Sequence, residues 1–361
     1  MKVLMFSSDA KIFEKGSAVR ARMVEYGELF ERLHIVVVSK GKFREEQISQ
    51  NVVVEHEPVN AVFEYIWKIV FGIPKRGFGG IDVVTAQDPF EIGYIAYKIA
   101  RQIRAPLQLQ IHTDFLSPYF RKESVKNFIR YVVSKITIPK ADGIRVVSKR
   151  IKDSLSNVKC QTLNVSVLPI FIDAEDIKNA RARILQKKFD FTVLWVGRFE
   201  REKNPLLALQ AFSLVFKKIP NAGLVVVGDG SLRKELELRI KKYGLSNNVI
   251  TTEGWQDGIA GYYKSADVLL ITSWYEGYGM NMVEARIVGT PVVAPDVGVA
   301  KDVGAHITGR TAEEIAQTLI ALYERKLPKS GEYEYPYTDK ERYLRLYRES
   351  FEQCLKASKK I

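Results

Sequence analysis

The chain has 361 residues, of which 46% are hydrophobic and 27% charged, and it carries a net charge of +13 and two cysteines. This composition is typical of a two-domain globular protein; it excludes a disulfide-stabilised scaffold, a cysteine-rich metal cluster and an uninterrupted apolar stretch long enough to cross a membrane. The apolar run at residues 3–6 is too short for a signal peptide and fits a first strand, so we expect a cytoplasmic protein.

Short apolar runs alternate with longer amphipathic ones along the chain. In the first half the pattern predicts a helix over residues 18–33 and strands at 3–6, 34–39, 82–85, 107–111 and 143–147. The rhythm restarts near Phe191, with strands at 192–196, 223–227, 248–251, 267–271 and 291–294. This is the β-α-β order of parallel, doubly wound sheets. The sequence therefore predicts two α/β domains, 1–170 and 171–338, with a connector at 326–337 and a final helix from Asp339 to about Lys356.

The loop after strand 192–196 carries two cations, Arg198 and Lys203, between Gly197 and the helix N-cap candidate Asn204. Ligands of open α/β sheets bind at the carboxyl ends of the strands, and two cations there suit a departing pyrophosphate. The acidic and basic neighbours of these residues equally fit an ordinary charged surface loop.

Two further loops of the second half follow strand ends. Gly228-Asp229-Gly230 is a glycine turn before a helix that is predicted to open at Ser231, and it is a weak signal for a ligand by itself. The next loop places Glu276 beside a glycine pair, and Glu284 lies on the helix that follows. A carboxylate accepts two hydroxyl hydrogen bonds, so the two acids suit a ribose diol or a sugar ring, the alternative being a solvent-exposed helical glutamate.

The first half offers fewer signals. His112 stands at the end of strand 107–111, although a lone histidine is more often structural than catalytic. Gly16 and Ser17 form a short loop that opens a helix, with Ser17 as its N-cap.

Taken together and in this order, the motifs resemble the retaining glycosyltransferases of family 4. The match consists of Gly197-Arg198…Lys203, Gly-Asp-Gly at 228–230, a Glu-x7-Glu element at Glu276 and Glu284, and Gly289-x-Pro291. The resemblance implies an α/β GT-B fold: two Rossmann-like domains facing a central cleft, an acceptor-side first domain, a donor-binding second domain, and a last helix (339–361) that crosses back onto the first.

The resemblance also implies roles for single residues. Arg198 and Lys203 would hold the donor diphosphate, Glu276 would lie by the donor sugar, and His112 beside the reacting sugar. The donor-binding set would be Glu284 (on the nucleotide ribose), Gly197, Gly277, Tyr278, Gly279, Met280 and Gly228, with Gly16 and Ser17 lining the cleft. The chain departs from the family pattern at the single glycine of that loop, at 169–173 and at 297–301, which bears on acceptor contacts more than on donor binding.

We therefore expect retaining transfer of a hexose-type sugar from a UDP- or GDP-sugar to a hydroxyl of a glycan or a lipid-linked acceptor. The sequence contains no Asp-x-Asp, so we expect no metal and no cofactor beyond the nucleotide-sugar co-substrate. A sugar-nucleotide epimerase on the same fold and a degenerate GT-B binding subunit stay open as alternatives. We find no nucleic-acid recognition module and expect no nucleic-acid partner.

Basic charge is concentrated in the first half, where residues 1–170 hold 26 Lys and Arg against 17 Asp and Glu. Segment 118–152 has ten Lys and Arg against two acids, and an apolar stripe at helical spacing formed by Val125, Phe128, Ile129, Val132, Val133 and Ile136. Together with the aromatic segment 62–71 and the following Lys75 and Arg76, it suggests contact with an anionic membrane surface, at the inner face of the cell membrane. The alternative is that the stripe packs on the protein's own sheet.

Overall fold

The computed structural model describes residues 1–43, 45–59, 78–156, 164–183, 189–252, 254, 258–327, 331 and 333–358. The chain divides into two compact α/β units. The first domain comprises Met1–Pro169 and Asp339–Ile361, and the second domain comprises Ile170–Thr338.

The strands, in chain order, are β1 Lys2–Ser7, β2 Arg32–Ser39, β3 Glu46–Ser49, β4 Val52–Pro58, β5 Val83–Ala86, β6 Leu107–Ile111, β7 Gly143–Val146, β8 Val165–Val167, β9 Phe191–Val196, β10 Ala222–Val227, β11 Val249–Thr251, β12 Val268–Leu270, β13 Val292–Ala294 and β14 His306–Ile307. The α-helices are α1 Ala18–Gly27, α2 Glu91–Ile103, α3 Pro118–Glu123, α4 Val125–Thr137, α5 Lys149–Leu155, α6 Ala174–Asn179, α7 Pro205–Lys218, α8 Arg233–Lys242, α9 Ala260–Lys264, α10 Met280–Ile287, α11 Ala312–Tyr323 and α12 Lys340–Ser358.

The first-domain sheet has the order β3-β4-β2-β1-β5-β6-β7-β8, and its strands run parallel except for the antiparallel β3–β4 pair. The second-domain sheet has the order β11-β10-β9-β12-β13-β14 and is parallel throughout. Strands β6, β9 and β10 are buried along their whole length. Parallel strands are covered by helices on both faces, which explains why β9 and β10 are almost continuously apolar. Strand β6 also contains two buried glutamines, Gln108 and Gln110, whose side chains are hydrogen-bonded.

The predicted strands are confirmed, with ends that differ by a residue or two, whereas β3, β4, β8 and β14 were not predicted. The predicted helix over 18–33 is wrong at its end, because α1 stops at Gly27 and Arg32 already belongs to β2. The reason is packing: a Cβ at Gly27 would lie 2.1 Å from Cγ2 of Val52 on β4, so the helix end approaches the sheet more closely than a side chain allows.

The final helix α12 is part of the first domain although it follows the second domain in sequence. The Tyr343 hydroxyl lies 2.8 Å from the Tyr26 hydroxyl, and Nε2 of Gln110 donates to the Tyr347 hydroxyl at 3.1 Å. Cys354 packs against the backbone of Gly143 on β7. These buried contacts fix α12 on the sheet.

Segment 118–152 folds as α3, α4, a 3-10 turn at Ile138–Lys140, β7 and the start of α5. Its apolar stripe does not pack on the sheet: five of its residues, Val125, Phe128, Ile129, Val132 and Ile136, are exposed. The alternative stated above for the stripe is therefore wrong. The aromatic segment 62–71, Lys75 and Arg76 lie outside the described residues. Among the helices that the structure describes, none is both long and apolar enough to cross a bilayer.

Candidate active site

The loops after β9 and β10 form one continuous edge of the second domain. The Gly197 amide donates to the Val227 carbonyl at 3.0 Å, and the Phe199 amide donates to the Asp229 carbonyl at 2.7 Å. Gly228 has a φ of +144°, and a Cβ there would lie 1.9 Å from the Gly197 carbonyl oxygen. Only glycine permits so close an approach. The two glycine motifs are thus brought together by the parallel pairing of β9 and β10.

Arg198 projects from this edge toward solvent. Its side chain is 66% exposed, and Nη2 donates to Oε1 of Glu202 at 2.6 Å. Glu202 is much less exposed, and its carbonyl accepts a 2.8 Å hydrogen bond from the Trp274 amide, which ties it to the loop after β12. A guanidinium has five N–H donors in a fixed fork. Arg198 therefore presents positive charge at the strand end while its position is set by a fixed acid.

Lys203 and Glu276 form the central ion pair of this edge. Nζ of Lys203 lies 2.6 Å from Oε1 of Glu276, and the Ser273 hydroxyl donates to the same oxygen at 2.7 Å. Glu276 is buried, and Lys203 is about one fifth exposed. The structure thus joins two candidate residues that are 73 positions apart in sequence. An ammonium has three donors, so this contact leaves Lys203 with capacity to bind a further anion.

A buried hydroxyl holds the Lys203 backbone in place. Oγ1 of Thr272 donates to the carbonyls of Lys203 and Asn204, both at 2.9 Å, and accepts from Nε1 of buried Trp195 at 2.9 Å. Asn204 has a left-handed φ of 54° and makes no side-chain cap hydrogen bond to α7. Asn204 is therefore the N-cap residue that was predicted, but the turn that brings its carbonyl to Thr272 leaves its side chain without a cap hydrogen bond.

The loop between Glu276 and α10 is held by close backbone packing. Gly279 precedes α10 with a φ of 93°, and Nδ2 of Asn281 donates to the Val196 carbonyl at the end of β9 at 3.1 Å. A Cβ at Gly298 would lie 2.3 Å from the Tyr278 carbonyl oxygen. Of the predicted donor-binding residues here, Tyr278 is buried, Gly277 and Gly279 are half-buried, and Met280 is exposed. The loop is therefore a tight turn over the carboxyl ends of β9 and β12.

Glu284 lies on α10 and is joined by a partner that the sequence did not indicate. The Tyr263 hydroxyl donates to Oε2 of Glu284 at 2.7 Å. Burial raises the pKa of Glu284, and the Tyr263 hydrogen bond partly opposes that rise. Tyr263 comes from the short helix α9, and no local pattern distinguishes it from an ordinary core tyrosine.

Glu200 is a second residue that sequence reasoning missed. Its two carboxylate oxygens accept from the Ser231 amide at 2.9 Å and from the Ser231 hydroxyl at 2.7 Å, and these hydrogen bonds lower its pKa. The helix predicted to open at Ser231 begins instead at Arg233. The Glu200 carboxylate thus holds Ser231, which follows the Gly-Asp-Gly turn, and links this turn to the loop that carries Arg198 and Lys203.

The remaining candidates, His112, Gly16 and Ser17, belong to the first domain. His112 follows β6 and is exposed. The surrounding protein disfavours the charged ring, and Arg145 and Arg22 repel it, so its pKa is lowered to about 3. Ser17 is confirmed as the N-cap of α1, accepting from the Arg20 amide at 3.1 Å, and Gly16 is exposed with a φ of +84°.

Within the part of the chain that the structure describes, no three His, Cys, Asp or Glu side chains form a group that could hold a metal ion. The charges gathered at the second-domain edge are instead the cations Arg198 and Lys203 with their acids.

The second domain corresponds to a known family. Residues 176–332 match the family model described as Glycosyl transferases group 1. This match assigns the second domain to the group 1 glycosyltransferases. It is 28% identical over 229 residues to an alpha-monoglucosyldiacylglycerol synthase of Streptococcus pneumoniae, a match that covers 59% of this chain and 52% of that protein. The chain spans about half the length of the curated relatives it matches.

Solved structures show that the fold is GT-B, as predicted. Sucrose-phosphate synthase from Thermosynechococcus elongatus superposes with a TM-score of 0.67 and 15% identity, covering 99% of this chain and 94% of that one. Anabaena HepE in complex with UDP-glucose superposes with a TM-score of 0.63 and 18% identity, covering 92% of each chain.

Proposed function

We propose that this group 1 glycosyltransferase moves a hexose-type sugar from a UDP- or GDP-sugar to an acceptor hydroxyl, with retention of the anomeric configuration. The observation that carries the proposal is the Lys203–Glu276 pair at 2.6 Å, in which Lys203 lies on the same strand-end loop as exposed Arg198. Breaking the bond between sugar and diphosphate puts negative charge on the leaving oxygen. Cations already fixed beside that oxygen stabilise the charge without reorganising.

The acids divide into two roles in this proposal. Glu276 holds Lys203 and lies by the donor sugar, while Glu284, steadied by Tyr263, accepts hydroxyl hydrogen bonds from the nucleotide ribose. The UDP-glucose complex of HepE supports a nucleotide-sugar donor for a chain of this fold. The cations take the charge-neutralising place that a divalent metal has elsewhere, so we propose metal-independent transfer.

The proposed acceptor is a glycan or a lipid-linked sugar, with His112 beside the reacting centre. A neutral imidazole can accept a hydrogen bond from an acceptor hydroxyl, and its lowered pKa keeps the ring neutral. The name of the diacylglycerol-glucosylating relative supports a lipid-linked acceptor.

The test incubates the full chain with a panel of UDP- and GDP-sugars, with and without EDTA. We expect one donor to raise the melting temperature of the protein. The same donor should release its nucleoside diphosphate at a rate that EDTA does not change. NMR should show that an α-linked donor gives an α-linked product, or the free α-sugar where water is the acceptor. An inverted product, or an epimerised sugar nucleotide with no release, would overturn the proposed reaction. Loss of activity in EDTA that magnesium or manganese restores would overturn metal independence.

A further inference from the structure

Helix α4 in the first domain carries its apolar residues on the outside. Five side chains that recur every three or four positions are between 43% and 78% exposed: Val125, Phe128, Ile129, Val132 and Ile136. We call them the α4 apolar face. The side of α4 that is turned into the domain carries buried Ser134 and Thr137 instead. An amphipathic helix at a protein surface normally has the opposite orientation, with its apolar stripe on the core.

Specific contacts fix this orientation. Nε of Arg130 lies 3.1 Å from both carboxylate oxygens of Glu91 on α2, and its guanidinium lies 5.3 Å from the Phe90 ring centroid. The hydroxyls of Ser134 and Thr137 donate to carbonyls of their own helix at 2.7 and 2.9 Å, which satisfies them inside the domain. Turning the apolar face inward would break the Arg130–Glu91 pair and expose these groups.

Basic residues border the apolar face. Lys126 and Lys135 lie on α4 and are exposed, as are Arg121 and Lys122 on the preceding helix α3. Nζ of Lys135 lies 4.7 Å from the Tyr131 ring centroid, and the Arg121 guanidinium lies 5.5 Å from it. Arg130, one of the ten basic residues of segment 118–152, points inward to Glu91 and is not part of this border.

We propose that the α4 apolar face docks on an anionic lipid bilayer, with α4 lying in the headgroup layer and the bordering lysines on lipid phosphates. A helix of this length extends about 20 Å, enough to lie along the interface but too short to cross it. Burying apolar side chains away from water lowers the free energy. Lysines have long apolar stems, so they keep their charge at the level of the headgroups. Bilayer binding thus uses both features of the surface.

The charge argues against a second copy of this chain as the occupant. In a symmetric dimer the same patch meets itself, and its basic borders would repel. An anionic bilayer complements both the apolar face and its border. This docking does not depend on the donor chemistry proposed above, so either can fail while the other stands.

The test sediments the full chain with vesicles of phosphatidylcholine alone or containing phosphatidylglycerol. We expect binding that requires the anionic lipid and weakens with salt. Replacing Lys122, Lys126 and Lys135 together by Gln should weaken it about a hundredfold, at about fivefold per lysine. The matched control replaces exposed Lys217, Lys218 and Lys242 of the second domain by Gln and should bind as wild type.

A second pair of variants isolates the apolar face. Phe128→Ser with Ile129→Ser should reduce binding by about a hundredfold. The control, Leu238→Ser with Tyr243→Ser, removes comparably exposed side chains of the second domain and should have no effect. Brominated lipids should quench the fluorescence of the tryptophan introduced by Phe128→Trp, and they should not quench that of the tryptophan introduced by Leu238→Trp. The melting temperature of every variant without vesicles should match that of wild type, which separates lost docking from lost folding.

No binding to anionic vesicles at low salt would overturn the proposal. So would binding that both α4 variants retain, or binding to neutral vesicles at equal strength. If the wild-type chain self-associates without lipid and the Phe128/Ile129 variant alone does not, while neither sediments with vesicles, the face is a dimer interface and the bilayer proposal is wrong.

Discussion

The carboxyl edges of the two sheets differ in how they treat ionisable groups. In the first domain, burial raises the pKa of Asp88 to about 6, burial also raises the pKa of Asp114, and the pKa of His112 falls to about 3. All three shifts favour the neutral form. In the second domain, Glu200 has its pKa lowered by Ser231, and Lys203 has Glu276 as a partner at 2.6 Å.

The two edges therefore suit different ligands. An edge whose carboxyl and imidazole groups are kept neutral suits an uncharged hydroxyl, and an edge that fixes full charges suits a charged diphosphate. Glu284 departs from the second-domain pattern because burial raises its pKa, and it is the acid we assign to the neutral ribose. Substitutions at either edge test this difference.

The largest effect is expected from the cations of the second-domain edge. Arg198→Ala or Lys203→Ala should lower kcat by about 10²–10³, the scale for loss of one charge-stabilising group. Arg239→Ala is the matched control, because Arg239 also pairs with an acid four residues away at 2.6 Å but lies on α8. Turnover near wild type in both folded variants would refute the leaving-group role.

The two glutamates should separate binding from chemistry. Glu276→Ala should reduce kcat by about a hundredfold because Lys203 loses its anchor. Glu284→Ala should weaken binding of free UDP or GDP by about tenfold to a hundredfold, the cost of losing hydrogen bonds to a charged acceptor. Calorimetry with the free nucleotides, with exposed Glu313→Ala as control, distinguishes them. The reverse assignment would show that the roles are exchanged.

His112 tests the neutral edge. We expect His112→Gln to lower kcat by about tenfold to a hundredfold. Because its lowered pKa keeps the ring neutral above about pH 5, wild-type kcat should show no limb near pH 6.5 that depends on this residue. A limb there that disappears in the variant would mean that His112 titrates normally and that the edge is not a neutral one.

The smallest effect concerns stability. Because the pKa of Asp88 is higher in the folded state than in the unfolded state, the folded state is relatively more stable when Asp88 is protonated. Wild type loses this stabilisation as pH rises from about 4 through about 6. Asp88→Asn keeps an oxygen for the Phe90 amide hydrogen bond and should raise the free energy of unfolding at pH 7.5 by about 1–3 kcal/mol. At pH 4 the gain should be much smaller.

Urea unfolding at both pH values measures this difference, with exposed Asp153→Asn as the control. Equal gains at the two pH values would place the effect outside the titration of Asp88.

The central strands of both domains and the strand-end loops of the second domain could be predicted from the sequence alone. Apolar periodicity and glycine turns are local signals, so β6 was predicted to the residue and β9 and β10 nearly so. Short edge strands such as β3 and β14 carry too little pattern to be read. The order of the motifs was enough to indicate the family, because the spacing between motif residues can be recognised even where the overall sequence identity is low.

Which residues meet and which helix faces are covered could not be predicted, because both depend on tertiary contacts. Lys203 and Glu276 are joined because β12 pairs beside β9, and Tyr263 reaches Glu284 from a separate helix. Periodicity showed that α4 has an apolar face but not where it points. That direction depends on the Arg130–Glu91 pair with a neighbouring helix, and a contact between distant residues leaves no mark on the local pattern of either segment.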